Sequence, residues 1–222
     1  MRKEIYLIRG NEQEDYRAFS ERILRLASET ASLVNPDALR ISLTMESPPR
    51  ISLIPFKRSK IAVFSVYKEE QETIGLLKRS AGFSGAFKVE EALPVAYEKT
   101  WPHGEPTPGA CLLTLFHRKP GIDYDTFIHR WHNSHTPLSL KIHPLWNYNR
   151  NVVLQKLCDL PHWYDGIVEE QTLTRAALLN PFKFFGNGLK ITGNMIAVYK
   201  DVRSFIDYEK IETYLAIEYH IV

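Results

Sequence analysis

The 222-residue chain carries 28 basic and 26 acidic side chains, a formal net charge of +2, which is too even a balance to build the positive field that nucleic-acid binding needs. With 44% hydrophobic and 24% charged residues its composition is that of a folded globular protein, long enough for one large domain or two of about a hundred residues. Cys111 and Cys158 cannot make a four-ligand zinc set or a disulfide scaffold. A reducing, cytoplasmic setting is therefore expected, and the strand-length opening run Glu4-Ile5-Tyr6-Leu7-Ile8 predicts neither a secretory segment nor a membrane span.

In chain order, residues 4–9 predict a strand. A helix follows from about residue 14, with Phe19, Ile23, Leu26 and Leu33 at helical spacing, until Asn35-Pro36-Asp37 ends it. Strands are expected at 39–45 and 60–67, separated by Ser47-Pro48-Pro49 and Pro55. The basic run Lys57-Arg58-Ser59-Lys60 between them reads as a solvated turn. A helix near 70–80 and a strand near 93–98 complete the unit, and the stretch 101–109, rich in Pro and Gly, reads as a linker.

The pattern then recurs. Asp15-Tyr16-Arg17-Ala18-Phe19 returns as Asp123-Tyr124-Asp125-Thr126-Phe127, and the same offset (123 − 15 = 108) carries Ile5, Leu7 and Ile23 onto Leu113, Leu115 and Trp131. A strand at 111–116 turns at Lys119-Pro120-Gly121 into a helix capped by Asp123. Strands at 148–154 and 166–170 lead to an irregular excursion at 178–194. Met195, Val198, Tyr199, Val202 and Ile206 predict a helix, and the period-two alternation of 211–222 predicts the last strand. Each half reads βαββαβ, an antiparallel sheet with helices on one face and a bare apolar face on the other. The fold class is thus α+β, with tandem ferredoxin-like repeats at 1–105 and 106–222 covering each other's sheets in one pseudo-dimeric α/β barrel.

Phe116-His117-Arg118-Lys119-Pro120-Gly121, then Phe127 and Trp131, then His135-Thr136-Pro137-Leu138 resembles the signature of EthD-domain proteins of the dimeric α/β-barrel superfamily. Tyr164-Asp165-Gly166 and the stretch 201–205 are also similar to that family's pattern. The resemblance covers about residues 111–222. In the first half Ala27 stands at the position of His135 and no His-x-Pro follows, so a single active centre in the second half is expected, with the first half as lid and wall.

Phe127, Trp131 and His135 lie four apart, placing two rings and an imidazole on one helix face. Pro137 ends or kinks that helix near His135, and the freed carbonyls favour a proton on His135 or His132. His135 is the candidate general acid or base, a reading that depends mostly on the family resemblance; bonding a neighbouring carbonyl at the helix end is its structural alternative, and core packing is that of Phe127 and Trp131. Phe127, Trp131, His132, Pro137, Tyr148, Asn151 and Glu169 are the candidate binding residues. Successive strand residues face opposite sides, so one of Glu169 and Glu170 faces inward; Glu169 is the candidate, able to orient the His135 ring, with a solvent-facing pair as its alternative. The histidines at 129, 132 and 135 drift around the helix with no carboxylate close in sequence, so no metal site is assigned.

The resemblance implies a small apolar molecule, aromatic or polyketide-like, as partner and no organic cofactor. Cyclisation, dehydration, decarboxylation and cofactor-free oxygenation all fit, and the sequence does not choose among them or establish catalysis. A non-catalytic small-molecule binder and a haem-binding barrel using His135 or His143 are the alternatives. A homodimer through a sheet edge or an exposed aromatic face stays open.

Overall fold

The computed structural model describes residues 2–68 and 73–222. Eight antiparallel strands close into one barrel: β1 (Lys3–Arg9), β2 (Ala38–Leu43), β3 (Ile61–Tyr67), β4 (Phe83–Val95), β5 (Ala110–Phe116), β6 (Leu145–Lys156), β7 (Gly166–Thr172) and β8 (Glu212–His220), in the spatial order β1-β3-β2-β8-β5-β7-β6-β4. The first four strands lie side by side as β4-β1-β3-β2 and the last four as β8-β5-β7-β6. The two groups join through β2 with β8 and through β4 with β6. Closure leaves no free edge on this barrel for a second chain to extend.

The helices are α1 (Tyr16–Val34), α2 (Thr73–Lys78), α3 (Tyr124–His129), α4 (Thr136–Ile142), α5 (Arg175–Leu179), α6 (Pro181–Phe184) and α7 (Lys190–Phe205). Asp15 and Asp123 cap α1 and α3 alike: each side chain accepts the N–H three residues on at 2.7 Å, with nearly the same backbone angles. Asn35, left-handed at φ 45°, closes α1. The expected helix at 70–80 is seen from Thr73; residues 69–72 lie outside the described residues.

Both faces of most strands are covered, so β1, β3, β5 and β7 are buried almost throughout; β1, β3 and β5 carry apolar runs, whereas β7 buries Glu169, Glu170 and Gln171. Ile5, Leu7, Val63, Leu113 and Ile167 fill the barrel interior. On the outside of the first half Tyr6, Ile8, Phe64 and Ile41 meet Phe19, Ile23 and Ala27 of α1. On the outside of the second half Phe116, Val152 and Val168 meet Phe127, Trp131 and Phe205.

Three expectations change. The fourth strand begins at Phe83 and not near 93, because Phe87 and Val89 fill the interior. The 178–194 excursion is the end of α5, all of α6 and the start of α7, each short helix being capped by the residue before it, Thr174 and Asn180. The stretch 101–109 is no loose linker: Gly104 and Thr107 donate backbone N–H groups to His220 and Glu218 of β8 at 2.7 and 2.8 Å.

One close approach sets the helix–sheet spacing at the second half. A Cβ on Gly166 would stand 2.3 Å from Phe116 Cζ and 2.7 Å from Trp131 Cη2. Gly166→Ala is expected to lower stability by about 1–3 kcal/mol through overpacking, read as a lower denaturation midpoint; an unchanged midpoint would show that these rings yield freely.

Candidate functional site

The helix after β5 does not stop at Pro137. Between α3 and α4 residues Arg130–His135 form a π turn, in which the Thr136 N–H reaches back to the Trp131 carbonyl. Pro137 has no N–H to give, and the wider turn absorbs the missing bond while keeping the helix running to Ile142. The turn delivers His135 to α7: its Nδ1 lies 2.7 Å from Asp201 Oδ2, while Ser134 Oγ donates to Asp201 Oδ1 at 2.8 Å. With Nδ1–H donated to the carboxylate, Nε2 accepts from Ser139 Oγ at 3.2 Å. Burial works against the charge on Asp201, but the bonds from His135 and Ser134 prevail and hold it below the usual carboxylate range.

His135 and Ser139 border a cavity of about 220 Å³ between the outer face of the second-half sheet and its helices. Phe116, Val168, Val198, Val202 and Phe205 make it largely apolar, and Leu53, Ile54 and Pro55 of the first half form part of its wall. Thr213 pins that wall, since its hydroxyl donates to the Pro55 carbonyl at 2.9 Å. The cavity lies outside the barrel, whose interior positions are filled by the cores of both halves.

Among the described residues, Glu170 is the carboxyl that lines this space. It stands opposite Leu112 on the outer face, is 8% exposed, and makes no hydrogen bond or ion pair with any described side chain. Desolvation pushes its pKa up to about 7, with His135 pulling the other way. His143, also on the cavity, is pushed down to about 4 by burial, outweighing the bond between its Nδ1 and the Phe184 carbonyl at 2.9 Å.

The structure brings Trp131, Tyr148 and His135 to this cavity and places the other candidates elsewhere. Phe127 packs behind it against Phe205 and Trp131. Pro137 is exposed. Burial first, then the Arg150 guanidinium, pushes His132 down to about 4, opposite to the direction expected for it at the helix end. Glu169 and Asn151 face the barrel interior, where Glu169 accepts from Ser42 Oγ at 2.5 Å and lies 4.0 Å from Lys3 Nζ, and Asn151 donates to the Ile167 carbonyl. The carboxylate that orients His135 is thus Asp201, from α7, and the strand glutamate on the cavity is Glu170.

Among solved structures, 23 chains match this fold. One, described as a crystal structure study of an anthrone oxidase-like protein, superposes with a TM-score of 0.60 and 10% identity, covering 100% of this chain and 91% of that one. The likeness shows a shared fold. No family model and no curated protein matches the sequence. No helix among the described residues is long and apolar enough to cross a membrane.

Proposed function

We propose that this chain is a tandem of two EthD-like ferredoxin repeats, 1–105 and 106–222, whose second repeat acts on a small apolar aromatic molecule by acid–base chemistry without an organic cofactor. The repeat reading is supported by the matching strand orders and by the twin aspartate caps. The function rests on one observation: Glu170, a buried carboxyl without a hydrogen-bond partner among the described residues, has its pKa raised to about 7 in an apolar cavity that it shares with His135, whose ring Asp201 holds from behind the cavity lining. A group so placed is poorly suited to stability and well suited to taking a proton.

The chemistry is an enolisation. A C–H proton of the ligand passes to the Glu170 carboxylate, the electron pair of that bond moves toward the ligand's carbonyl, and the Nε2 proton of the His135 imidazolium, formed when Nε2 is protonated in place of accepting from Ser139, settles on the carbonyl oxygen and leaves the neutral ring bonded to Asp201. Asp201 keeps the imidazole oriented and stabilises it when charged. The likeness to an anthrone oxidase-like protein makes anthrone the first probe, since its fused rings carry a carbonyl and an acidic methylene group. Under anaerobic conditions anthrone at a hundred times its dissociation constant should stabilise the protein by about 2.7 kcal/mol, and Val198→Trp, which fills the cavity, should abolish the shift. No shift, or the same shift in both proteins, would remove the ligand from this site.

A further inference from the structure

A second cavity, of about 550 Å³, opens at one end of the barrel, where the end of β1, the start of β8, the loop before β3 and the loop after β5 meet. Its volume lies within the usual range of small-molecule sites. Tyr164 and Tyr214 form the floor and belong to the inner core. Arg9 donates to the Tyr214 hydroxyl at 2.9 Å, to the Tyr164 hydroxyl at 2.8 Å and to Glu212 Oε2 at 2.9 Å. Both phenols in turn donate to Glu212. Glu212, the one carboxylate lining the cavity among the described residues, is therefore neutralised by Arg9 and engaged by two hydroxyls.

The rim is different. Lys57, Lys210, His117 and His162 line it; Lys210 pairs with Asp207 at 3.2 Å, whereas exposed Lys57 has no ion pair among the described residues. The basic run that reads in sequence as a solvated turn thus divides: Lys60 is buried beside the Tyr16 ring, and Lys57 faces this cavity. The walls are flat rings. His117 stacks on Tyr164 at 5.2 Å and 28°, and Trp163 lies beside it, its indole N–H turned to Asp165 at 3.3 Å.

We propose that this cavity binds an aromatic carboxylate, its ring against His117 and Trp163 and its charge toward Lys57. A compact, highly charged anion such as phosphate calls for several forked or backbone donors, and here the lining guanidinium is already engaged. A neutral ring would leave the Lys57 ammonium unanswered.

Titration calorimetry of the full chain with benzoate, benzamide and inorganic phosphate tests this. Benzoate should bind about tenfold or more tightly than either comparator, and Lys57→Ala and His117→Ala should each weaken it about tenfold, a loss of 1.4 kcal/mol. Val198→Trp, in the other cavity, should leave benzoate binding unchanged. Equal binding of benzamide or phosphate, indifference to both rim substitutions, loss in Val198→Trp, or no binding of benzoate would each overturn the assignment.

Discussion

Glu170→Gln is expected to stabilise the protein above neutral pH by on the order of 3 kcal/mol while removing its chemistry. The carboxyl has a pKa near 4.5 in the unfolded chain and about 7 when folded. Below the lower value both states carry the proton and burial costs little. Between the two the folded protein binds a proton that the unfolded chain has lost, so stability falls as pH rises, and above the upper value the whole cost is felt. Glutamine keeps the shape without that titration. The wild-type protein should therefore lose stability between about pH 5 and 8 relative to Glu170→Gln, a difference of several degrees in Tm for a chain of this size. Asp201 works in the opposite sense: its depressed pKa contributes stability that is present at neutral pH and lost as pH falls through the folded value. A difference between wild type and Glu170→Gln that does not grow with pH would mean that the Glu170 carboxyl is solvated.

The second large effect is on rate. His135→Ala should lower proton transfer to a bound ligand by about 10²- to 10⁴-fold, while ligand affinity changes far less, because the walls are set by Phe116, Val168 and Phe205. Asp201→Asn keeps the ring in place but no longer supports the imidazolium, so it should also lose rate with little change in binding. Turnover unaffected in both variants would assign the imidazole to holding α7 against the π turn, through the Ser134, His135 and Asp201 contacts.

Much of the architecture is legible in the sequence because its strands are covered on both sides. Ile5-Tyr6-Leu7-Ile8 and Leu112-Leu113-Thr114-Leu115-Phe116 are unbroken runs, and Asp15 and Asp123 mark the following helices by the same capping chemistry. The strand through Phe83 is harder to see, since Gly82 and Gly85 resemble turn formers; Gly82 does take φ 84° at its start. Pro137 signals a disturbance but not its kind: whether a helix stops, or widens into a π turn and continues, depends on Trp131 and Thr136 finding each other.

The glutamate pair shows where pattern reading ends. Alternation separates Glu169 from Glu170, yet in a closed barrel with helices outside both directions are inward. Glu169 meets Ser42 and Lys3 in the interior, and Glu170 meets a cavity. Only the packing of α7 on the outer face tells them apart, and the same packing brings Asp201 to His135 across 66 positions of chain. No periodicity encodes that meeting.

Proton abstraction in this cavity is read most directly from deuterium exchange into the methylene group of anthrone, followed by NMR in D₂O without oxygen, for wild type, His135→Ala and Glu170→Gln. Wild type should accelerate exchange well above the buffer rate, and each variant should bind anthrone yet lose about 10²-fold or more of that acceleration. Binding without acceleration in the wild type would contradict the catalytic reading and make this cavity a carrier's.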